Sequence, residues 1–331
     1  MLATARCPTS LPCLARDELA WKSAGGDRTM RLAVTGGTGF VGRFIVEAAL
    51  AAGHAVTLLG RRPPEAGLFG SAVLRRPFDL GGEADLVGMD ALVHAAFDHL
   101  PGRYRGGEGD DPEGFLARNR EGSIRLFEAG RSAGLKRCVF LSSRAVYGAY
   151  PPGTRLSEEL DPRPDTLYGR AKHEVEVALA ALARRDFQTV SLRVTGVYGP
   201  APPGRGHKWT GLFRRFLGRE PIEPRLGTEV HGEDVASAVL LCLKPGQPPR
   251  LSATLNVSDL VLDRRDLLAE VAALTGCAAA LPPRALVPVS EMDTGRLRAL
   301  GWRPGGSAKL RATLPGLLGL APGPGGTPEA R

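Results

Sequence analysis

Thr35-Gly36-Gly37-Thr38-Gly39-Phe40-Val41-Gly42 is the stretch whose reading decides the fold. It follows an apolar run, residues 31–35, and opens a helix-like segment, residues 40–52. The glycines at 36, 39 and 42 divide three tasks: a tight turn, close approach of the backbone to a pyrophosphate, and close packing of helix on strand. Amides at the start of the helix then face the phosphates. A glycine trio is a weak signal in a chain with 43 glycines. The strand before it and the helix after it make it specific for a dinucleotide.

Outward from this turn, strand-like runs (31–35, 55–59, 72–75, 91–95, 138–142, 189–194) alternate with helical patterns (40–52, 112–133, 168–184). That alternation predicts an α/β fold: a Rossmann-type doubly wound parallel sheet covered by helices. Beyond Val194 the rhythm loosens, with a Pro/Gly loop at 199–205, short helices at 208–217, 233–243 and 264–274, and a strand at 253–257. The expected organisation is a dinucleotide-binding domain over 30–200 with returns near 226–257, and a smaller C-terminal substrate-binding lobe from 201–225 and 258–304. Residues 1–29 read as a flexible extension, with Met30 a candidate start. The Gly/Pro-rich residues 305–331 read as a loosely held tail. In open parallel sheets ligands sit at the carboxyl ends of the strands, so the chemistry is sought just after each strand.

Bulk properties narrow the classes. The net charge is +8, mostly from scattered arginine, with no basic stripe interleaved with aromatics, so no nucleic-acid partner is expected. The five cysteines, Cys7, Cys13, Cys138, Cys242 and Cys277, fit no metal or disulfide spacing. No metal and a reducing, cytoplasmic setting follow. No run approaches the ~20 apolar residues of a membrane helix.

Tyr168-Gly169-Arg170-Ala171-Lys172 sets a phenol and an ammonium on one helix face. A free phenol titrates near ~10. A nearby ammonium and a cationic nicotinamide favour the phenolate, bringing it towards use as a general acid–base. At the end of the second strand, Leu58-Leu59-Gly60-Arg61-Arg62 lacks the acidic residue that holds the ribose hydroxyls of NAD. Arg61 and Arg62 can instead pair with a 2′-phosphate. NADP(H) is therefore the preferred cofactor and NAD(H) the alternative, although both side chains are also two more arginines in an arginine-rich chain.

These motifs, in this order, resemble the extended branch of the short-chain dehydrogenase/reductase superfamily, the NAD-dependent epimerase/dehydratase family. The resemblance runs from Met30 to about Pro304. It implies that Gly36, Gly37, Thr38, Gly39, Phe40, Val41 and Gly42 cradle the cofactor, that Asp79-Leu80 receives the adenine, and that Ala95 and Ala96 lie along the dinucleotide. Phe97 stands where the family has a small residue. Phe140 to Gly148 resembles the family's fifth strand and serine loop; register on Val146-Tyr147-Gly148 makes Ser143 the catalytic serine and Ser142 its competitor. Asn119-Arg120-Glu121-Gly122-Ser123 resembles the Asn-x-x-Gly-Thr motif, which gives Asn119 the support of the catalytic Lys172. Arg193 to Pro200 resembles the segment after the sixth strand, with Val197 at the cofactor, and His231 to Ala236 a late helix start in which Asp234 is structural.

The implied step is hydride transfer at a carbinol or ketone carbon, with Tyr168 moving the proton and Ser143 steadying the oxygen. Ser143-Arg144-Ala145 lacks the Asp-Glu pair of the dehydratases, which disfavours dehydration. A nucleotide-sugar epimerase fits the serine loop, and an NADPH-dependent reductase of a small ketone or aldehyde fits Arg61 and Arg62. A non-catalytic dinucleotide sensor is the reading from another class, and the presence of both Tyr168 and Lys172 speaks against it. Arg103 and Arg105, after the fourth strand, and Arg205 and His207, beside Lys208, are candidate contacts for a phosphate-bearing substrate. The resemblance also implies a homodimer formed through the Tyr168 helix.

Overall fold

A computed structural model of the chain describes residues 29–71, 73–99, 107–148, 150–202, 204–248 and 250–320. Arg103 and Arg105 lie outside the described residues, as do the first 28 and last 11 residues.

Among the described residues, seven strands form one parallel sheet in the order β3-β2-β1-β4-β5-β6-β9. They are β1 (Arg31–Thr35), β2 (Ala55–Gly60), β3 (Leu74–Pro77), β4 (Ala91–His94), β5 (Arg137–Ser143), β6 (Gln188–Val194) and β9 (Ser252–Val257). Both faces of the central strands are covered, and so β1, β4 and β5 read as near-continuous apolar runs. One face packs on α1 (Phe40–Ala51) and α6 (Gly232–Leu243), with Phe44, Ile45, Val235 and Val239 in the core. The other packs on α3 (Gly122–Ser132) and α4 (Leu167–Ala181), with Phe127, Phe140, Val175 and Leu179. The strand order reverses between β1 and β4, which opens the crevice where such sheets hold ligands.

The expected edge strand at 72–75 is shifted to Leu74–Pro77, where pairing of Thr57 with Leu74 sets its start. The expected helix at 112–133 is interrupted: α2 (Pro112–Leu116) runs through one π turn, Ala117–Glu121, into α3. Gly122 lets the chain after β3 press onto this junction, since a Cβ there would lie 1.7 Å from the Leu80 carbonyl oxygen.

A second core holds the smaller lobe. Strand β7 (Gly196–Tyr198) pairs with β8 (Leu226–His231), which pairs antiparallel with β10 (Leu260–Asp263). Helices α5 (Thr210–Leu217) and α7 (Arg264–Thr275) contribute Phe213, Phe216, Leu267, Leu268 and Val271. The short α8 (Gly295–Ala299) leads to Trp302, which joins the sheet core.

The loose tail expected from residue 305 is corrected over its first part, because Gly306–Leu317 forms helix α9. Leu310, Leu314 and Leu317 recur at helical spacing and are buried in the second core. The Gly/Pro content masks this stripe, and Pro315 falls near the end of the helix. Leu314→Ala should lower the free energy of unfolding by about 2–5 kcal/mol. Denaturant titration checks this, and a loss below about 1 kcal/mol would mean that α9 is not packed.

Candidate active site

The glycine turn leaves β1 at Thr35. Gly36 has φ +67°, and a Cβ on it would lie 2.6 Å from the Ala96 nitrogen. A Cβ on Gly42 would meet the Gly36 carbonyl oxygen at 2.1 Å. The turn thus lies directly on the Ala95–Ala96 backbone, and α1 packs directly on the turn. Gly39 caps α1 without a side-chain bond, so the first-turn amides remain available to ligand oxygens. Thr38 and Gly39 are exposed at the rim, while Phe40 and Val41 are partly buried. This cradle fits a dinucleotide diphosphate.

Beneath it runs a buried polar chain that the sequence reading missed. The Ala96 N–H donates to Thr35 Oγ1 at 3.2 Å, and Thr35 Oγ1 lies 2.7 Å from His94 Nδ1. His94 Nε2 lies 2.8 Å from Ser123 Oγ, which donates to the Asn119 carbonyl. The Ser123 proton is committed to Asn119, so His94 Nε2 donates to Ser123 and Nδ1 accepts from Thr35. Burial, and after it the charge of Lys172, pushes the imidazole down to about 3, so the ring is neutral. A polar His at the end of an otherwise apolar strand is the signal that could have found this chain.

Asn119, in the π turn, is buried. Its Oδ1 accepts from the Asp98 N–H at 2.7 Å, and its Nδ2 donates to the Asp98 carbonyl at 2.7 Å and to that of Phe115 at 3.0 Å. Arg118 Nε adds a 2.6 Å bond to the Asp98 carboxylate. Asn119 therefore clamps the chain after β4, and Phe97, the neighbour of Asp98, carries that clamp to Lys172. The Phe97 ring stands edge-on to Tyr168, 4.9 Å between centroids, and Lys172 Nζ lies 4.4 Å from its centre.

Lys172 is 3% exposed. Its ammonium donates to the Leu141 carbonyl at 2.7 Å and sits between Phe97 and the Phe140 ring, 4.6 Å away. The Tyr168 ring centre is 5.9 Å from the same nitrogen. Burial pushes the ammonium down to about 7, against the pull of Glu176. Helix α4 is fixed at both ends of this region. Thr166 caps it through the Gly169 N–H at 3.0 Å, and Glu176 grips Arg193 of β6 at 2.7 Å. A Cβ on Gly169 would lie 2.4 Å from the Ala145 oxygen, so the Tyr168 turn packs straight onto the serine loop.

Strand alternation separates the two serines. Ser142 is buried, beside the Glu176 carboxylate. Burial alone would raise that carboxyl, and contacts with His173, Arg193 and Ser142 bring it below its usual range. Ser143 is partly exposed, and its Oγ accepts from the Ala145 N–H at 3.1 Å. That leaves the Ser143 O–H to donate.

The remaining residues flank this centre. Arg61 and Arg62 are exposed at the tip of β2, where Arg75 bonds the Arg61 carbonyl at 2.7 Å. Asp79 is exposed and accepts from the Leu80 N–H at 2.9 Å, while Leu80 is buried. Val197 lies in β7, just beyond β6. Arg205 is exposed. His207, the other candidate substrate contact, is partly buried and bonded within the chain. Its Nδ1 accepts from the Trp209 N–H and its Nε2 donates to the Leu317 carbonyl at 3.0 Å, tying the loop to α9. Lys208 is ion-paired with Glu229. Asp234 accepts from the Gly305 N–H and Lys309, a stitching role. Among the described residues no group of three His, Cys, Asp or Glu side chains could hold a metal ion, and no helix is long and apolar enough to cross a membrane.

Comparison with known proteins meets this geometry. The model of the NAD dependent epimerase/dehydratase family matches residues 32–257. The chain is 28% identical over 316 residues to a UDP-glucose 4-epimerase of Lacticaseibacillus casei, covering 83% of this chain and 92% of that protein. It is 29% identical over 212 residues to a uronate dehydrogenase of Pseudomonas syringae pv. tomato, covering 61% of this chain and 74% of that one. Among solved structures, MoeE5 in complex with UDP-glucuronic acid and NAD aligns with a TM-score of 0.70 at 29% identity, over 86% of this chain and 97% of that one. The chain belongs to the NAD dependent epimerase/dehydratase family. It is an enzyme of the extended short-chain dehydrogenase/reductase type.

Lys172 carries a stability signature. Its folded-state titration, about 7, lies below its ordinary 10.5. Below the lower value both states are protonated and the fold bears the full cost of the buried cation. As pH rises through the window, the unfolded chain keeps a proton that the folded one has lost, and stability increases. The advantage of wild type over Lys172→Met should therefore grow by on the order of 4 kcal/mol across that window. Parallel pH profiles in denaturant titrations would refute the burial of the ammonium.

Proposed function

We propose that the chain is an NAD(P)-dependent oxidoreductase of nucleotide sugars, acting at a ring carbinol carbon as an epimerase. The observation that carries this reading is the Lys172 ammonium bonded to Leu141 at the end of β5, with Tyr168 one turn before it and Ser143 at the end of the same strand.

Ser143 donates its O–H to the reacting oxygen and holds it in place. Tyr168 takes the hydroxyl proton in one direction and returns it in the other. Lys172 favours the phenolate by its charge and holds ribose hydroxyls. Phe97 and Phe115 wall the centre against water, with their ring centroids 5.5 Å apart. When bound, the dinucleotide supplies the carbon that accepts and returns hydride. The relatives named as UDP-glucose 4-epimerases support a nucleotide sugar as the substrate class. NAD in the neighbouring MoeE5 complex supports a nicotinamide dinucleotide.

Arg61 and Arg62 at the tip of β2 favour NADP(H), and with it a second reading as a reductase of a small ketone or aldehyde. Dissociation constants decide the cofactor: NADPH should bind more tightly than NADH, and equal or tighter NADH binding overturns the preference. A homodimer through α4 fits the exposure of Val177 on that helix, and the cytoplasm is the setting inferred for the chain.

Tyr168→Phe should lower the rate of UDP-glucose/UDP-galactose interconversion by about 10²–10⁴-fold while dinucleotide affinity holds. Chromatography of the sugar nucleotides and fluorescence titration of the cofactor measure the two. A variant that turns over at the wild-type rate would sink the assignment, and a chain that binds dinucleotide without turnover would be a sensor.

A further inference from the structure

We propose that Phe97 is a positioning residue that gates Lys172: the nicotinamide ribose reaches the ammonium only after the Phe97 ring has turned aside. The inference rests on the ribose contact given above to Lys172.

An ammonium has three N–H donors. That of Lys172 spends one on the Leu141 carbonyl, in the backbone of β5, at 2.7 Å. Aromatic rings stand around the rest of it, with the centre of Phe97 at 4.4 Å, Phe140 at 4.6 Å and Tyr168 farther off at 5.9 Å. A ribose hydroxyl must come within about 3.2 Å of the nitrogen to bond it. With the side chain almost wholly buried, that approach needs a wall to move.

Two of the walls are fixed. Strand β5 is paired on both sides, with β4 and β6, which holds the Leu141 carbonyl. Phe140 is fully buried, with His94 stacked on it at 5.6 Å and Phe127 edge-on at 5.8 Å. Phe97 differs. It is partly exposed and has the exposed His99 as a neighbour, 6.0 Å between ring centres. It directly follows Ala95 and Ala96, on which the glycine turn rests, so it stands on the crevice side of the ammonium.

The backbone does not carry the motion. The Ala96 N–H is bonded to Thr35, and the N–H and carbonyl of Asp98 are both bonded to Asn119. With the chain pinned one residue before Phe97 and one after, the free movement is rotation of the side chain between staggered positions. Turning out gives up the attraction between ammonium and ring and the edge contact with Tyr168, so the turned form is the minor one. A ligand that needs the minor form binds with an affinity reduced by its population.

The test titrates the full chain with NADPH and NADH by nucleotide fluorescence, and with ADP by competition. ADP lacks the nicotinamide ribose and has no use for Lys172. Phe97→Ala should tighten binding of the dinucleotide at least about 3-fold, because the cover is gone. The affinity for ADP should stay within about 2-fold. Phe97→Tyr, which keeps the ring, should bind the dinucleotide as wild type does. A ring that only props the fold would give the opposite sign, weakening both ligands. If Phe97→Ala lowers the thermal midpoint so far that it cannot be titrated, Phe97→Val carries the same expectation.

Unchanged or weaker dinucleotide binding in the folded small-residue variant overturns the proposal, as does an equal gain for ADP. Either result, with turnover of the sugar nucleotide intact in the wild type, leaves the proposed function standing. A wild type that binds no dinucleotide defeats the proposed function, and this inference with it.

Discussion

Gly36 rests on the Ala95–Ala96 peptide so closely that any side chain there would enter the backbone of the neighbouring strand's exit. That contact brings the ends of β1 and β4 into register with each other. The Ala96 amide then reaches Thr35, and the chain that follows it carries Phe97 over Lys172. A single absent methyl group thus sets the height of the crevice floor and the position of the aromatic wall above it.

The lysine end of the centre is built by a different means. Its ammonium lies in a sleeve of two aromatic rings and one carbonyl, where water is scarce and the charge is expensive to keep. Helix α4 cannot drift to relieve this, because Glu176, one turn further along, is held by Arg193 on β6. A cation so placed acts on whatever shares the sleeve, and Tyr168 is the neighbouring titratable group on the same helix face.

The parts legible in the sequence are those in which local pattern and tertiary role coincide. The glycine turn, the apolar runs of the parallel strands and the Tyr168/Lys172 spacing each state their geometry within a few residues. Asn119 was readable as a motif but not as a clamp. Its partner, Asp98, lies 21 residues earlier, and the π turn that aims its amide leaves no mark in the hydrophobic periodicity. Likewise Leu310, Leu314 and Leu317 are diluted by glycine and proline, and only the second core exposes their common face. The bond from His207 to the Leu317 carbonyl, 110 residues away, is equally invisible in the local pattern.

The neutral imidazole of His94 has one more effect. In the unfolded chain it takes up a proton near ~6.5. In the folded chain it does so only at about 3, and then at the expense of its bond from Thr35. Through that interval each unfolding event gains a proton, and the folded form loses ground as the medium is acidified. Weak acid therefore works as a selective lever on the joint between the first and fourth strands, one that mild alkali does not move.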